Sequence, residues 1–206
     1  RVTTITKEFI AKLAKKSLPV AINETIWGLG MSAYLMAIGF ISAEAIASVQ
    51  ISNQIMGLVW VANAGLSTAC AIMIGNKLGE NNLELAKQWG KKFVSLSFIS
   101  GVFLGIILFM SAGPISSVFT NNSEAVRENL KLILMVFSFY VPIKFSNALQ
   151  IVGTLRAGGD TRFALIAEII PLWMVGVPLA FILSINTSLP IYVIIAIINV
   201  EEIIKF

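Results

Sequence analysis

Long apolar runs separated by short polar stretches dominate this chain, and their lengths predict helices that cross a membrane. A bilayer core of about 30 Å takes about 20 apolar residues of helix. Runs of that order cover residues 17–40, 46–74, 93–110, 130–155, 163–184 and 191–206, the last of them cut short. They do not alternate as barrel strands must, and helices alone satisfy the backbone polar groups within each run. The expected fold class is therefore all-α and polytopic, a bundle of six transmembrane helices forming one membrane domain. Three local features add detail. A basic amphipathic lead, KEFIAKLAKK from Lys7 to Lys16, is expected to lie along a membrane surface. Leu83, Leu85 and Trp89 suggest a short interfacial helix ahead of the third run, and Ser111 to Pro114 is expected to end that run.

Composition agrees with the pattern. Hydrophobic residues make up 57% of the chain, charged residues 13%, and the mean hydropathy is +0.86. A soluble domain holds about 45–50% apolar and about 25% charged residues. The formal charge of +4 does not point to nucleic acid, because the basic residues sit at the ends of apolar runs and not along one stripe. They orient the bundle instead. Arg1, Lys7, Lys12, Lys15, Lys16, Lys77, Lys87, Lys91, Lys92, Arg156 and Arg162 fall on one side, against Arg127 and Lys131 on the other. By the excess of Lys and Arg in cytoplasmic loops, the amino-terminal end is expected in the cytoplasm of a multi-pass cell-membrane protein. With one cysteine, Cys70, and no histidine, the chain offers no disulfide framework, zinc site, haem ligand or histidine acid/base. No paired aspartates or nucleophile-base pair suggest an enzyme. The chain opens on Arg1 with no signal-peptide pattern, which reads as a segment excised from something longer.

Three ionisable residues fall inside the runs: Glu24, Lys144 and Glu168. A charge at the bilayer centre costs about 2.5–3.5 kcal/mol on insertion scales, so these groups are expected to face the bundle interior or water. At 100° per residue, Asn23, Glu24, Trp27, Gly30, Met31 and Tyr34 share an arc of about 120° on the first helix. Asn53, Gly57, Trp60, Asn63 and Ser67 share one on the second, and Tyr140, Lys144, Asn147 and Thr154 on the fourth. Three such faces suit one cavity, with Asn23, Trp27, Tyr34, Asn53, Trp60, Tyr140 and Asn147 as candidate lining. The chemistry this suggests is cation exchange. A carboxylate withdrawn from bulk water carries a proton near neutral pH, or trades it for sodium or an organic cation. Aromatic faces add about 0.5–2 kcal/mol for an alkylated cation, and seven methionines suit a surface that repacks around different ligands.

Plainer readings stand beside these. Glu24 and Lys144 also admit reading as a buried pair that fixes helix packing, and Glu168, five residues after Phe163, is within snorkelling reach of the interface. Trp27, Trp60 and Trp173 suit packing or the lipid interface, and Gly28, Gly30 and Gly57 suit close helix contacts. Pro142, Pro171 and Pro178 are expected to kink the fourth and fifth helices. Arg156 and Asp160 are expected to anchor a tight cytoplasmic turn, with Gly158 and Gly159 supplying permissive backbone. The Gly75 to Gly79 spacing is no phosphate loop, since it lacks the lysine-hydroxyl ending.

The segments LPVAINETIWGLG (Leu18 to Gly30), GNKLGE with Ala86 beyond it, and above all GTLRAGGDT (Gly153 to Thr161) followed by PLWMVGVPLA carry a resemblance. In their order and spacing the chain resembles the second six-helix lobe of the multidrug and toxic compound extrusion (MATE) family. The resemblance implies a twelve-helix antiporter with two lobes around a central cavity. Such a protein exports cationic amphipathic compounds in exchange for Na+ or H+, needs no cofactor, and completes itself with a missing N-terminal lobe or a second copy. Glu24 resembles the glutamate that many members place in the first helix of this lobe, which makes it the candidate Na+ position. Sodium-coupled members place an aspartate in the fourth helix where this chain has Phe145, with Lys144 beside it. Lys144 is expected to take that cation's place by pairing with Glu24 or Glu168, and the resemblance puts Glu201 and Glu202 inside the sixth helix. The related alternatives are a flippase for lipid-linked oligosaccharides and a partner subunit that does not itself transport.

Overall fold

The computed structural model describes residues 6–205, so Arg1 of the basic lead and Phe206 of the last run lie outside the described residues. Helix α1 spans Lys7–Gly39, α2 Ala43–Gly79, α3 Leu83–Val118 and α4 Glu124–Ala148. A π-helical turn over Leu149–Leu155 extends α4. The next rod is α5, Thr161–Pro171, a second π-helical turn over Leu172–Gly176, and α6, Val177–Asn186. Helices α7, Ile191–Ile198, and α8, Glu201–Lys205, finish the described chain. No strand occurs among the described residues.

Local chemistry sets the helix starts. Thr6, Ser42, Asn82, Ser123 and Asp160 each accept a hydrogen bond from the backbone N–H three residues on, the N-cap arrangement. Glu8, Glu44, Glu84 and Glu124 in the first turns add favourable charge at the positive end of the helix dipole. The connections are short, which makes successive rods antiparallel neighbours.

Three expectations about breaks are corrected. The basic lead is not a separate surface helix, since it runs unbroken into α1 through Pro19. The segment around Leu83, Leu85 and Trp89 likewise runs into the third run, because nothing between the Asn82 cap and Val118 stops the helix. Pro114 is absorbed within α3, where Ser116 and Ser117 donate to the carbonyls of Gly113 and Pro114. The rods Ala43–Gly79, Leu83–Val118, Glu124–Leu155 and Thr161–Asn186 are long and apolar enough to cross a membrane. In α1, Asn23, Glu24 and Thr25 interrupt the apolar run, and α7 is only 8 residues long.

Packing is tightest between α3 and α4. A Cβ on Gly101 would stand 2.7 Å from the Pro142 Cα, and one on Gly105 would stand 2.6 Å from the Ser138 carbonyl oxygen. Backbone meets backbone there, as small residues allow between membrane helices. Around this contact Leu108, Leu130, Ile133, Leu134, Val141 and Phe145 are buried, while Leu58, Phe103, Met110 and Met174 are exposed. An exterior of large apolar side chains suits lipid, which replaces water as the solvent. Of the glycines expected at close contacts, Gly30 faces the Leu172 side chain, whereas Gly28 and Gly57 have open space.

The second π-helical turn falls between Pro171 and Pro178, which disturb the ladder, whereas Pro142 is absorbed within α4 and the first turn, Leu149–Leu155, contains no proline. Pro171 brings no N–H to the helix and ends α5, and the wider turn that follows reaches Gly176. Gly176 lies against Tyr34 and Glu201, where a Cβ would overlap the Tyr34 hydroxyl. Gly176→Ala is expected to break the 2.8 Å hydrogen bond from Tyr34 Oη to Glu201 Oε2 and to lower the thermal midpoint of the purified protein, read by tryptophan fluorescence. An unchanged midpoint would mean that this contact is loose.

Candidate functional site

A cavity of about 530 Å³ opens between α1, α2, α4 and the α7–α8 segment. Glu24, Trp27 and Tyr34 line it from α1, Asn53, Gly57 and Trp60 from α2, and Lys144 and Asn147 from α4. The three expected faces thus meet around one space. Glu168 from α5, Arg156 from the turn after α4, and Glu201, Glu202 and Lys205 from α8 complete the charged lining. Trp60 packs on Phe145 with ring centroids 5.5 Å apart.

The polar arcs divide between the cavity and helix contacts. Asn23 is 2% exposed, does not line the cavity, and donates through Nδ2 to Glu168. Tyr140 is not in the lining either, since its hydroxyl donates to the Ala196 carbonyl at 2.9 Å. Asn63 accepts from Ser97 of α3 at 3.1 Å, Ser67 is buried beside the 149–155 turn, and Trp173 donates to the Ile26 carbonyl at 3.2 Å. A helical wheel gives the side of a helix, and that side is shared by the cavity and by neighbouring helices.

The charged groups form two clusters. In the first, Arg156 places a guanidinium nitrogen 2.6 Å from Glu24 Oε1 and 3.9 Å from Glu168 Oε2. In the second, Lys205 lies 3.1 Å from Glu201 and 3.3 Å from Glu202, and Lys144 lies 3.9 Å from Glu202. Asn147 donates to the Glu202 carboxylate at 2.9 Å and to its carbonyl at 2.7 Å.

Two pairing expectations are therefore corrected. Lys144 pairs with Glu202 and not with Glu24 or Glu168, which take Arg156 instead. Arg156 is more than a turn anchor, because its long side chain reaches from the turn into the cavity and ties α1 to α5. The Glu168 side chain is held beside Arg156 and Asn23. The turn itself is as expected at Asp160, which accepts from the Phe163 N–H at 3.1 Å, and at Gly159, whose φ of 81° is the left-handed conformation glycine tolerates. Gly158 does not share that conformation, and its backbone packs close to the Thr154 carbonyl. Lys205 was missed by the sequence reading. Its i, i+3 and i, i+4 spacing from Glu202 and Glu201 is the signal that finds it.

Chemically, the second cluster balances two carboxylates against two ammonium groups. The first sets two carboxylates against one guanidinium and carries one surplus negative charge when all are ionised. Glu24, 56% exposed at its side chain, presents that surplus to the cavity. Among the described residues no group of three or more His, Cys, Asp and Glu is placed to hold a metal ion.

Comparison with known proteins places this arrangement. A family model described as MatE matches residues 19–182. The chain is 28% identical over 185 residues to the probable multidrug resistance protein YoeA of Bacillus subtilis, a match covering 90% of this chain and 40% of that protein. It is 26% identical over 147 residues to the probable multidrug resistance protein NorM of Bacillus cereus, covering 71% of this chain and 32% of that one. One solved structure, described as the outward-facing conformation of a multidrug resistance MATE family transporter of the MOP superfamily, shares the fold with a TM-score of 0.86 at 18% identity. That match covers 100% of this chain and 47% of the other. The inward-facing conformation of such a transporter matches with a TM-score of 0.80 at 18% identity, over 98% of this chain and 47% of that one. The chain thus spans less than half the length of these relatives. With its apolar helices and these matches over most of its length, it is a multi-pass membrane protein and belongs to the MatE family.

Proposed function

We propose that this chain is the C-terminal lobe of a secondary active antiporter that exports cationic amphipathic compounds. The reading rests on one observation: two carboxylates, Glu24 and Glu168, share the single guanidinium of Arg156 at the wall of an aromatic-lined cavity. The uncompensated charge suits one monovalent cation at a time. Any monovalent cation that takes this charge removes the attraction for a bound organic cation, and its release restores it, which is the competition an exchanger needs. Such a cation also competes with Arg156, so charge at the cavity is linked to the tie between α1 and α5. The guanidinium already stands between the carboxylates, where a metal ion would bridge them, so the coupling ion in this reading is a proton and not sodium.

The basic lead and the Lys87, Lys91 and Lys92 end of α3 face the cytoplasm in this reading, by the charge bias of membrane loops. A second lobe, or a second copy of this chain, closes the cavity's open side. Reconstitution of the complete protein in liposomes tests the reading. Rhodamine 6G, a lipophilic cation, should move against an imposed proton gradient and not against a sodium gradient. Movement driven by sodium alone would overturn the choice of ion. Failure under both gradients would overturn transport and favour a partner subunit.

A further inference from the structure

The last rod is not one continuous helix. Between Ile198, where α7 ends, and Glu201, where α8 begins, the backbone ladder tightens. The N–H groups of Val200, Glu202 and Ile203 reach back three residues, to the carbonyls of Ile197, Asn199 and Val200, and not four. This break follows the 8 residues of α7, or about 12 Å of rod, so it falls inside a core of about 30 Å. A backbone carbonyl without a donor is costly at that depth, and a break persists there only where a neighbour supplies one.

Helix α4 supplies it. A continuous α-helix would give the Ala196 carbonyl to the Val200 N–H, and here that carbonyl accepts from the Tyr140 hydroxyl at 2.9 Å. Beyond the break, the Glu202 carbonyl accepts from Asn147 Nδ2 at 2.7 Å. Tyr140 and Asn147 stand two turns apart on one face of α4, about 10 Å along its axis. Ala196 and Glu202 are about 9 Å apart along the last rod. The spacings match, so α4 grips the rod on both sides of its break.

The break also aims α8. Three residues that each turn by about 120° instead of about 100° rotate whatever follows by about 60° relative to a continuous helix. In that rotated position Glu201 accepts from the Tyr34 hydroxyl at 2.8 Å, the Glu202 carboxylate accepts from Asn147 at 2.9 Å, and both residues line the cavity. Closing the break into α-helix would return the Ala196 carbonyl to Val200 and swing both carboxylates off these partners.

We propose that Tyr140 and Asn147 are positioning residues, which hold the break between α7 and α8 and so set Glu201 and Glu202 in the cavity wall. Tyr140 lies outside the lining and acts on the cavity only through the rod. The proposal concerns where two carboxylates stand and holds whichever ion drives transport.

Spin labels on Leu58→Cys and Ile204→Cys, both at exposed positions, report the aim of α8 in the complete purified protein. Leu58→Cys with Ile182→Cys, also exposed, is the control pair. Tyr140→Phe keeps the ring and loses the donor. It should move the Leu58 to Ile204 distance by several ångströms, leave the control distance unchanged, and weaken rhodamine 6G binding several-fold, read by fluorescence polarisation. Para-aminophenylalanine at position 140 puts a donor back on the same ring and should restore both readings. Tyr34→Phe frees Glu201 without touching the break, so the distance should stay as it is. The proposal is overturned by an unmoved distance in Tyr140→Phe, by a shift in both pairs, by dye binding that ignores the shift, or by a defect that the restored donor does not correct. A shift in Tyr34→Phe as large as in Tyr140→Phe would also overturn it, because the charge cluster and not the break would then aim α8. If Tyr140→Phe fails to insert, Asn147→Leu takes its place in the same measurement, and failure of both would make these contacts structural and sink the proposal. If the unaltered protein does not bind the dye, the efflux reading fails and the distances alone decide.

Discussion

Replacing Glu24 by Gln is expected to abolish gradient-driven efflux while leaving the protein folded and in the membrane. The substitution keeps the shape of the side chain and removes its charge. Arg156 then faces Glu168 alone, one cation against one carboxylate, and the surplus negative charge at the cavity is gone. Neither a proton nor an organic cation has reason to compete for a neutral site. Folding should survive, because the Glu24 side chain is largely exposed and Arg156 retains a second partner at 3.9 Å. The effect is read as the initial rate of dye movement in proteoliposomes, normalised to the amount of inserted protein. Unchanged transport would refute the role given to Glu24. Loss of insertion would mean that the pair is structural, the plainer of the two readings the residue types allow.

The second large effect concerns stability. Gly101→Ala and Gly105→Ala should each destabilise the protein by about 1–3 kcal/mol, the usual cost of forcing extra volume into a packed contact. Alanine gains about 1 kcal/mol of helix propensity over glycine, which opposes the clash. The clash wins here because the atoms in the way are the Pro142 Cα and the Ser138 carbonyl oxygen, which move only if α4 moves as a whole. Gly113 in the same helix has nothing within 4 Å of an added Cβ, so Gly113→Ala is the internal control and should be neutral or mildly stabilising. Thermal unfolding in detergent, followed by tryptophan fluorescence, decides it. Gly105→Ala melting at or above Gly113→Ala would contradict the close approach of α3 and α4.

Much of the fold was legible because a bilayer imposes a simple rule. Apolar runs longer than about 20 residues mark helices, and the turn residues between them, such as Asp160 with Gly159, mark reversals. The cavity faces of α1, α2 and α4 were legible for a similar reason, since a period of 3.6 residues puts Glu24, Trp27 and Tyr34 on one side whatever the helix packs against. Three things escaped. The Gly101 and Gly105 pair has the small-residue spacing of close helix contacts, but an apolar run offers several glycines, and Gly28 and Gly57 drew attention while facing open space. Tyr140 shares a helix face with Lys144, yet the Ala196 carbonyl of α7 takes its hydroxyl. Partner choice was hidden most completely. Arg156 and Glu24 are 132 residues apart, and spacing along the chain does not register which side chains meet across helices. Arg156 looked like a turn residue because it stands in a turn. Its guanidinium acts several ångströms away, at the end of the longest side chain that is always charged.

The depth of Glu24 bears on the central claim. It lies fifteen residues before the Gly39 end of α1, or about 22 Å at 1.5 Å per residue, which puts it about midway between the middle of a 30 Å core and its basic-side face. Water entering from the basic side has a short path to it. The claim is that Glu24 and its partners are solvated within an internal cavity and not exposed to lipid, and cysteine labelling measures this directly. Cys70 is fully buried and gives no background reaction. In inverted membrane vesicles, Glu24→Cys should react rapidly with a charged, membrane-impermeant thiol reagent. Phe103→Cys, on the apolar exterior, should stay unlabelled. Labelling at position 24 no faster than at position 103 would contradict the account.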